Sequence, residues 1–161
     1  MISTVTLWRI ARETVAHRSD DLSGVGAAKI GNRWNHVGTP MVYSATHISL
    51  AALELAAHIG KLAVIRNLFL VRIAIPVDIW DARQTVSPIA LPVAWTSVPA
   101  SQTSMDFGTA WAKGKASALL EVPSVIVPEE NNVVINPVHA DASKISAVVV
   151  RQFLFDARLQ K

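Results

Sequence analysis

The sequence predicts an α+β fold, and two observations support this prediction. Short apolar segments of strand length are interspersed with only a few segments of helical periodicity. The two kinds of element do not alternate strictly, as they would in a parallel sheet built from βαβ units. The 161 residues suit one compact domain, and no repeat or linker divides them. We therefore expect a single domain over residues 1–161.

The predicted strands in the first half of the chain are short and apolar. Residues 5–11 form the first strand and residues 41–45 form a short buried one. Between them, residues 19–35 contain three glycines and many polar side chains, so a loop or short irregular elements are expected. Residues 68–75 are almost continuously apolar and predict another strand, which Pro76 ends.

Two segments predict helices. The first begins at residue 46 or 47 and continues to about residue 59, where Gly60 ends it. The second spans about residues 104–117 and contains Trp111. The first helix carries an apolar stripe at helical spacing, which consists of Ile48, Ala51, Ala52, Leu55 and Ile59.

The remaining segments predict irregular structure and then strands. Residues 78–101 are rich in Pro, Ser and Trp and are expected to be irregular. Asn131 and Asn132 suit a turn between two strands. The strands predicted in this part of the chain are residues 118–122, 124–127, 133–135 and a closing strand at 147–155.

The composition limits the possible functions. The chain is 51% hydrophobic and only 17% charged, whereas soluble domains carry about 25% charged residues. Some apolar surface is therefore expected to remain for contact with a partner. The net charge of +3 comes from dispersed basic residues, which only weakly supports nucleic-acid binding. The absence of cysteine excludes disulfides, thiolate metal sites and cysteine nucleophiles, and fits a reducing compartment.

No targeting or membrane segment is evident. The first residues lack a basic segment followed by a continuous apolar core, so they do not resemble a signal peptide. The best membrane candidate, residues 62–75, is interrupted by Arg66 and Arg72 and is shorter than the roughly 18–20 apolar residues that a membrane helix needs. We expect a cytoplasmic protein.

Two clusters in the first half of the chain could carry chemistry. Residues 31–35, Gly-Asn-Arg-Trp-Asn, combine a glycine with Arg33, whose forked guanidinium suits a phosphate; a turn with a surface arginine is the alternative. Tyr43 is the only tyrosine, and Glu54 follows on the next helix. Glu54 could face a cleft, or it could be a solvated flank or pair with His58 one turn later.

Two further clusters lie in the second half, and each has a structural alternative. Ser124 lies within an apolar segment and could face the core or a cleft. Asn136 precedes Pro137 and could hold a loop or contact a ligand. No metal is expected, because His47 and Glu54 lie about 10 Å apart along a helix and no His-Glu-x-x-His pattern is present.

Taken in order, these clusters resemble the RES-domain family, named for Arg, Glu and Ser, which supplies the toxins of RES–Xre toxin–antitoxin pairs. The resemblance extends over nearly the whole chain, although residues 78–118 carry little of it. Asn32 and His36 depart from the residues that are common there, which affects loop geometry more than chemistry. The matching segments are residues 7–10, 33–35 with Gly38, 42–45, 51–54, 122–128, 136–139 and 155–159.

The resemblance implies an ADP-ribosyltransferase-like α+β fold, with short mixed or antiparallel strands around a central β core and flanking helices. It also implies a toxin that cleaves the nicotinamide–ribose bond of NAD, as a glycohydrolase, phosphorylase or ADP-ribosyltransferase. NAD would be a consumed substrate, with no cofactor. The partner would be an Xre-type antitoxin in a hetero-oligomer, and any DNA contact would be made through that antitoxin.

The family's functional positions fall on Arg33, Tyr43, Glu54 and Ser124, and Arg9 would be added by the aromatic-Arg pair near the start. The resemblance assigns catalysis to Glu54, Arg33 and Ser124. It assigns NAD binding to Arg9, Arg33, Tyr43 and Ser124, and we add Asn136. Two other functions remain open: a non-catalytic module that binds a partner through its apolar surface, and a toxin that binds nucleic acid.

Overall fold

A computed structural model of the protein describes residues 1–62 and 65–159. Within these residues, strands and short helices follow one another without a regular alternation. The elements are β1 (Thr4–Arg12), α1 (Val25–Ile30), β2 (Val42–Ala45), α2 (Ile48–Ile59), β3 (Leu68–Pro76), α3 (Val77–Asp81), β4 (Gln84–Thr85), α4 (Gln102–Gly114), β5 (Leu119–Pro123), β6 (Asn131–Ile135) and β7 (Ser146–Phe153), with 3₁₀ turns at Pro88–Ala90, Ala140–Lys144 and Ala157–Leu159.

The strands form one mixed sheet in the order β4-β5-β6-β2-β1-β3-β7. Its neighbours are antiparallel except for β4 and β5, which are parallel. The longest ladder joins β1 and β3 over nine residue pairs, from Thr4–Pro76 to Arg12–Leu68. The α+β prediction, with mixed and antiparallel strands at the centre and helices around them, is therefore confirmed.

The sheet carries apolar cores on both faces, because successive side chains of a strand point to opposite sides. Leu119 and Ile135 pack on one face together with Ile79 of α3. Leu120 and Val134, each one residue away, pack on the other face with Trp111 of α4. The central strands β5 and β6 are thus covered on both sides, which fixes their register.

Helix α2 packs against a third apolar cluster, with Ile10 of β1 and Leu70 of β3. Four of the five predicted stripe residues lie in that cluster, namely Ile48, Ala51, Ala52 and Leu55. The helix ends at Gly60, whose φ of 74° is a left-handed conformation that glycine adopts without strain. The predicted helix and its end at Gly60 are therefore confirmed. Because the apolar stripe packs against the sheet, it fixes the rotation of α2 about its axis.

Three local predictions were wrong. Residues 124–127 do not form a strand, because the chain leaves the sheet after Pro123. Asn131 and Asn132 lie inside β6 rather than in a turn, and the turn is made by the preceding residues. The segment predicted to be irregular contains the short helix α3 and the two-residue strand β4. Of the helices described in residues 1–62 and 65–159, none combines the length and apolar character needed to cross a membrane.

Candidate active site

A cavity of about 730 Å³ opens where β1 and β2 separate. These two strands pair at a single position, Trp8 with Ala45, although β1 is nine residues long. Residues 8–10 of β1 and residues 41–45, which include β2, all line the cavity. Its volume is within the range of about 300–1,000 Å³ found for ligand pockets.

The carboxylate of Glu54 lies in the cavity wall and is held through one oxygen. The hydroxyl of Ser124 donates to Glu54 Oε1 over 2.7 Å, and the amide of Asn132 donates to the same oxygen over 2.6 Å. Glu54 lies on α2, Asn132 on β6, and Ser124 directly after β5. Three elements distant in sequence therefore converge on one carboxylate.

The side chain of Ser124 is completely buried, and its hydroxyl makes one donated and two accepted hydrogen bonds, which is its full capacity. Its single proton goes to Glu54, and its oxygen accepts the backbone N–H groups of Ile126 and Val127, each over 3.1 Å. Ser124 is not among the residues that line the cavity. Ser124 therefore bonds Glu54 from outside the cavity lining, in keeping with its predicted role of aiming that carboxylate, and its contact with NAD stays a prediction.

Arg33 lies in the turn between α1 and β2 and lines the same cavity. Its Nη1 donates to the backbone oxygens of Trp95 and Ser97, over 2.7 and 2.9 Å. Burial lowers the pKa of Arg33, while the charges of Glu54 and Tyr43 act in the opposite direction. The guanidinium remains charged at neutral pH, because arginine starts from a very high pKa. It is therefore a partly desolvated cation close to the Glu54 carboxylate.

Tyr43 joins the Arg33 turn to the sheet. Its hydroxyl donates to Asn35 Oδ1 over 2.7 Å and accepts the backbone N–H of Trp34 over 3.0 Å. Asn35 is fully buried, and its amide donates to the backbone oxygens of Ala27, His36 and Thr39. The ring of Tyr43 lines the cavity, and its hydroxyl fixes the turn that carries Arg33.

Burial raises the pKa of Tyr43 well above its ordinary value near 10. Because Tyr43 is the only tyrosine, the absorbance of tyrosinate reports this group alone. We expect the folded protein to show tyrosinate only at a pH clearly above 10. The unfolded state ionises first, so the stability contributed by neutral Tyr43 is complete below about pH 10 and is lost as pH rises through the folded pKa.

Spectrophotometric titration alongside urea unfolding at several pH values checks this prediction, with Tyr43→Phe as the control that lacks the ionising group. A tyrosinate signal at the ordinary pKa while the circular dichroism of the fold is intact would contradict it.

The other two predicted site residues are Arg9 and Asn136, and only the first lines the cavity. Arg9 lines the cavity, and its Nη1 donates to the backbone oxygen of Asp21 over 2.8 Å. Its pKa is lowered by burial, against the attraction of Asp21. Asn136 does not line the cavity; it is fully buried, donates to the backbone oxygen of Ala112 and accepts the N–H of Val138. These contacts correspond to the structural alternative for Asn136, in which it holds a loop.

Sequence reasoning missed two asparagines of the site. Asn132 was assigned to a turn, and Asn35 was noted only as the end of the Gly-Asn-Arg-Trp-Asn segment. The sequence carried no signal that separates Asn132 from a turn residue, because asparagine is common in turns. Within residues 1–62 and 65–159, no group of three His, Asp or Glu side chains converges closely enough to hold a metal ion.

Comparison with known proteins places the chain in a family. The model of the RES domain matches residues 6–157, and the chain belongs to the RES-domain family. A relative named "Prs ADP-ribosylating toxin" from Sphingobium sp. (strain YBL2) is 44% identical over 156 residues, which cover 97% of each chain. A "Toxin Res" from Photorhabdus laumondii is 38% identical over 159 residues, covering 96% of this chain and 97% of that protein.

The fold also has a solved counterpart. The crystal structure of the M. tuberculosis MbcT–MbcA toxin–antitoxin complex contains a chain that matches with a TM-score of 0.62. The match covers 93% of this chain and 86% of that one, at 18% sequence identity. At this identity the match shows a shared fold and nothing more.

Proposed function

We propose that this protein is a toxin that binds NAD in the cavity, breaks the nicotinamide–ribose bond and transfers the ADP-ribose group. The main support is the position of Glu54, whose carboxylate is oriented by two neutral donors in a cavity wall that Arg33 and Tyr43 share. NAD is a consumed substrate in this proposal, with no resident cofactor. The names of the relatives, "Toxin Res" and "Prs ADP-ribosylating toxin", agree with it.

The chemistry requires an anion at the sugar. Nicotinamide leaves as a neutral molecule from a cationic ring, so it needs no proton from the protein. The ribose carbon becomes electron-poor as the bond breaks, and a carboxylate beside it lowers the energy of that state. Glu54 supplies this group through Oε2, because Oε1 is occupied by Ser124 and Asn132.

The cations of the cavity suit the diphosphate of NAD. Arg33 and Arg9 both line the cavity and use Nη1 for backbone oxygens, so each retains other N–H groups for an anion. Charge-assisted bonds of this kind are stronger than neutral ones, and arginine can make two in parallel. Tyr43 offers an aromatic surface for the nicotinamide or ribose.

The acceptor of the ADP-ribose group is a macromolecule in our proposal, and water or phosphate are the alternatives. The relative named as ADP-ribosylating, at 44% identity, favours a protein acceptor. Incubation with NAD, with and without phosphate and with cell extract, followed by mass spectrometry, separates these reactions. A protein carrying added ADP-ribose supports transfer; free ADP-ribose or its phosphorylated form as sole product identifies the other acceptors. No release of nicotinamide under any condition would refute NAD cleavage.

We also propose that an antitoxin protein of the Xre type holds the toxin inactive in a hetero-oligomer. Residues 84–105 carry no charged side chain, and three of them, Val98, Pro99 and Ala100, line the cavity. Ile89, Val93 and Val98 are almost fully exposed in this segment. Exposed apolar surface beside a cleft suits a protein partner that covers it. Loss of NAD cleavage on addition of the antitoxin, as a stable complex forms, tests this proposal.

Arg33→Ala is expected to raise the KM for NAD about 10- to 100-fold, with a smaller change in kcat. Removing a charge-assisted contact to the diphosphate removes about 1.5–3 kcal/mol of binding. The measurement is steady-state release of nicotinamide over a range of NAD concentrations. Arg18→Ala is the matched control, because Arg18 is exposed, pairs with Asp20 and does not line the cavity. Unchanged KM and kcat in Arg33→Ala would remove Arg33 from the site.

The non-catalytic binding module remains the second candidate, and the exposed apolar residues near the cavity favour it as much as they favour a toxin held by an antitoxin. It does not explain why a carboxylate and two arginines meet in one cavity. Following nicotinamide release by the free protein distinguishes the two candidates directly.

A further inference from the structure

We infer that Asn132 is a positioning residue of the proposed reaction, which holds the Glu54 carboxylate and acts only through it. The inference rests on the proposed function, because it concerns how well the Glu54 carboxylate is placed to stabilise the ribose during NAD cleavage. Its basis is the 2.6 Å hydrogen bond from Asn132 Nδ2 to Glu54 Oε1, made in the wall of the cavity.

The position of Asn132 is fixed by the sheet. It lies in β6, where it is paired with Ala45 of β2 on one side and with Val122 of β5 on the other. The three residues that follow it in β6 are completely or almost completely buried. A side chain carried by a strand that is paired on both sides moves little, so the Asn132 amide determines the position of Glu54 Oε1.

The neighbouring Asn131 provides an internal comparison. It points to the other face of β6, and its amide donates to Glu121 Oε1 over 2.8 Å. The other oxygen of Glu121 accepts from Arg83 Nε over 2.5 Å, so that carboxylate is neutralised by a cation. Glu121 does not line the cavity. Glu121 and Arg83 therefore form a structural ion pair, to which Asn131 adds a hydrogen bond.

Glu54 is held differently. Both groups that bond it, the Asn132 amide and the Ser124 hydroxyl, are neutral, and they meet at the same oxygen. In the described part of the chain, no ion pair with Glu54 is formed and Oε2 receives no hydrogen bond. Neutral donors fix the direction of a carboxylate without pairing its charge with a cation.

The test is a double-mutant cycle that combines Asn132→Leu with Glu54→Gln. Leucine has nearly the size of asparagine but donates nothing, so we expect kcat for nicotinamide release to fall about 10- to 100-fold while the KM for NAD stays within about twofold. In the Glu54→Gln background, the same change is expected to cost less than about threefold, because the charge that Asn132 orients is already absent.

Asn131→Leu is the matched control. It removes a donor of the same type from the adjacent position, so we expect a lower melting temperature with kcat retained. If Asn132→Leu does not fold, Asn132→Ala removes the donor with less crowding and takes its place in the cycle. The melting temperature of each variant separates loss of fold from loss of rate.

The outcomes have distinct meanings. Equal losses of kcat from Asn132→Leu in the wild-type and Glu54→Gln backgrounds would overturn the inference, as would a rise in KM with kcat unchanged. Equal losses of kcat in Asn131→Leu and Asn132→Leu would also overturn it, since the effect would then be a general weakening of β6. A wild-type protein that releases no nicotinamide would overturn the proposed function itself, and the inference with it.

Discussion

Replacing Glu54 by glutamine is expected to abolish most NAD cleavage while leaving the fold intact. Glutamine keeps the carbonyl oxygen that accepts from Ser124 and Asn132, so the hydrogen bonds at 2.7 and 2.6 Å can persist. What is lost is the negative charge that we propose to face the ribose. The removal of one preorganised electrostatic group typically costs about 10²–10³ in kcat. The measurement is nicotinamide release at saturating NAD, together with thermal unfolding.

Glu121→Gln is the matched control for charge removal in the same sheet. Glu121 accepts hydrogen bonds from Asn131 and Arg83, and the cavity does not contain it. We expect Glu121→Gln to lower the melting temperature, because Arg83 loses its carboxylate partner, and to keep kcat per folded molecule. A parental rate in Glu54→Gln, or an equal fall of kcat in both variants, would show that Glu54 has been given the wrong role.

Replacing Gly108 by alanine is expected to have the largest effect on stability. Gly108 lies in α4 against the backbone of Trp34, and a Cβ at this position would overlap the carbonyl oxygen of Trp34 and approach its carbonyl carbon to 2.7 Å. Backbone atoms cannot rotate away, so α4 and the Arg33 turn must separate. We expect the free energy of unfolding to fall by about 3 kcal/mol, or roughly 6–12 °C in Tm.

The same substitution tests whether α4 supports the site. Trp34 follows Arg33 directly, so displacement of its backbone is expected to raise the KM for NAD as well as to lower Tm. Gly114→Ala is the control on the same helix, because nothing lies within 4 Å of the added methyl group. There we expect an unchanged or slightly higher Tm, since alanine favours the helix. If Gly108→Ala were as stable as Gly114→Ala, the close contact between α4 and Trp34 would be disproved.

The sequence predicted the elements whose local pattern and tertiary role agree. Helix α2 has an apolar stripe at helical spacing and a glycine stop, and both operate in the folded protein. Strands β1 and β3 are long and apolar, and Pro76 marks the end of β3, so the predicted bounds of both strands lie within one residue of the observed ones. In these segments the local preference and the burial of the element favour the same conformation.

Predictions failed where tertiary contacts decide the conformation. The apolar residues 124–127 resemble a strand, yet the Ser124 hydroxyl accepts two backbone N–H groups there and turns the chain out of the sheet. Asn131 and Asn132 resemble a turn, yet each finds a carboxylate partner on its own face of β6. A polar side chain is tolerated in a central strand when such a partner is supplied, and local sequence does not reveal the partner.

By itself, the sequence determined which residue types are available and in what order: a carboxylate on the flank of an apolar helix, an arginine in a glycine-containing turn, and a single tyrosine. It also determined an apolar, charge-poor chain whose basic residues are dispersed. Only the tertiary structure decided that Ser124 and Asn132 meet at one oxygen of Glu54, and that Asn136 lies away from the cavity. The physical reason is that these contacts join residues about 70 to 80 positions apart. They form only when the folded sheet brings β5, β6 and α2 together.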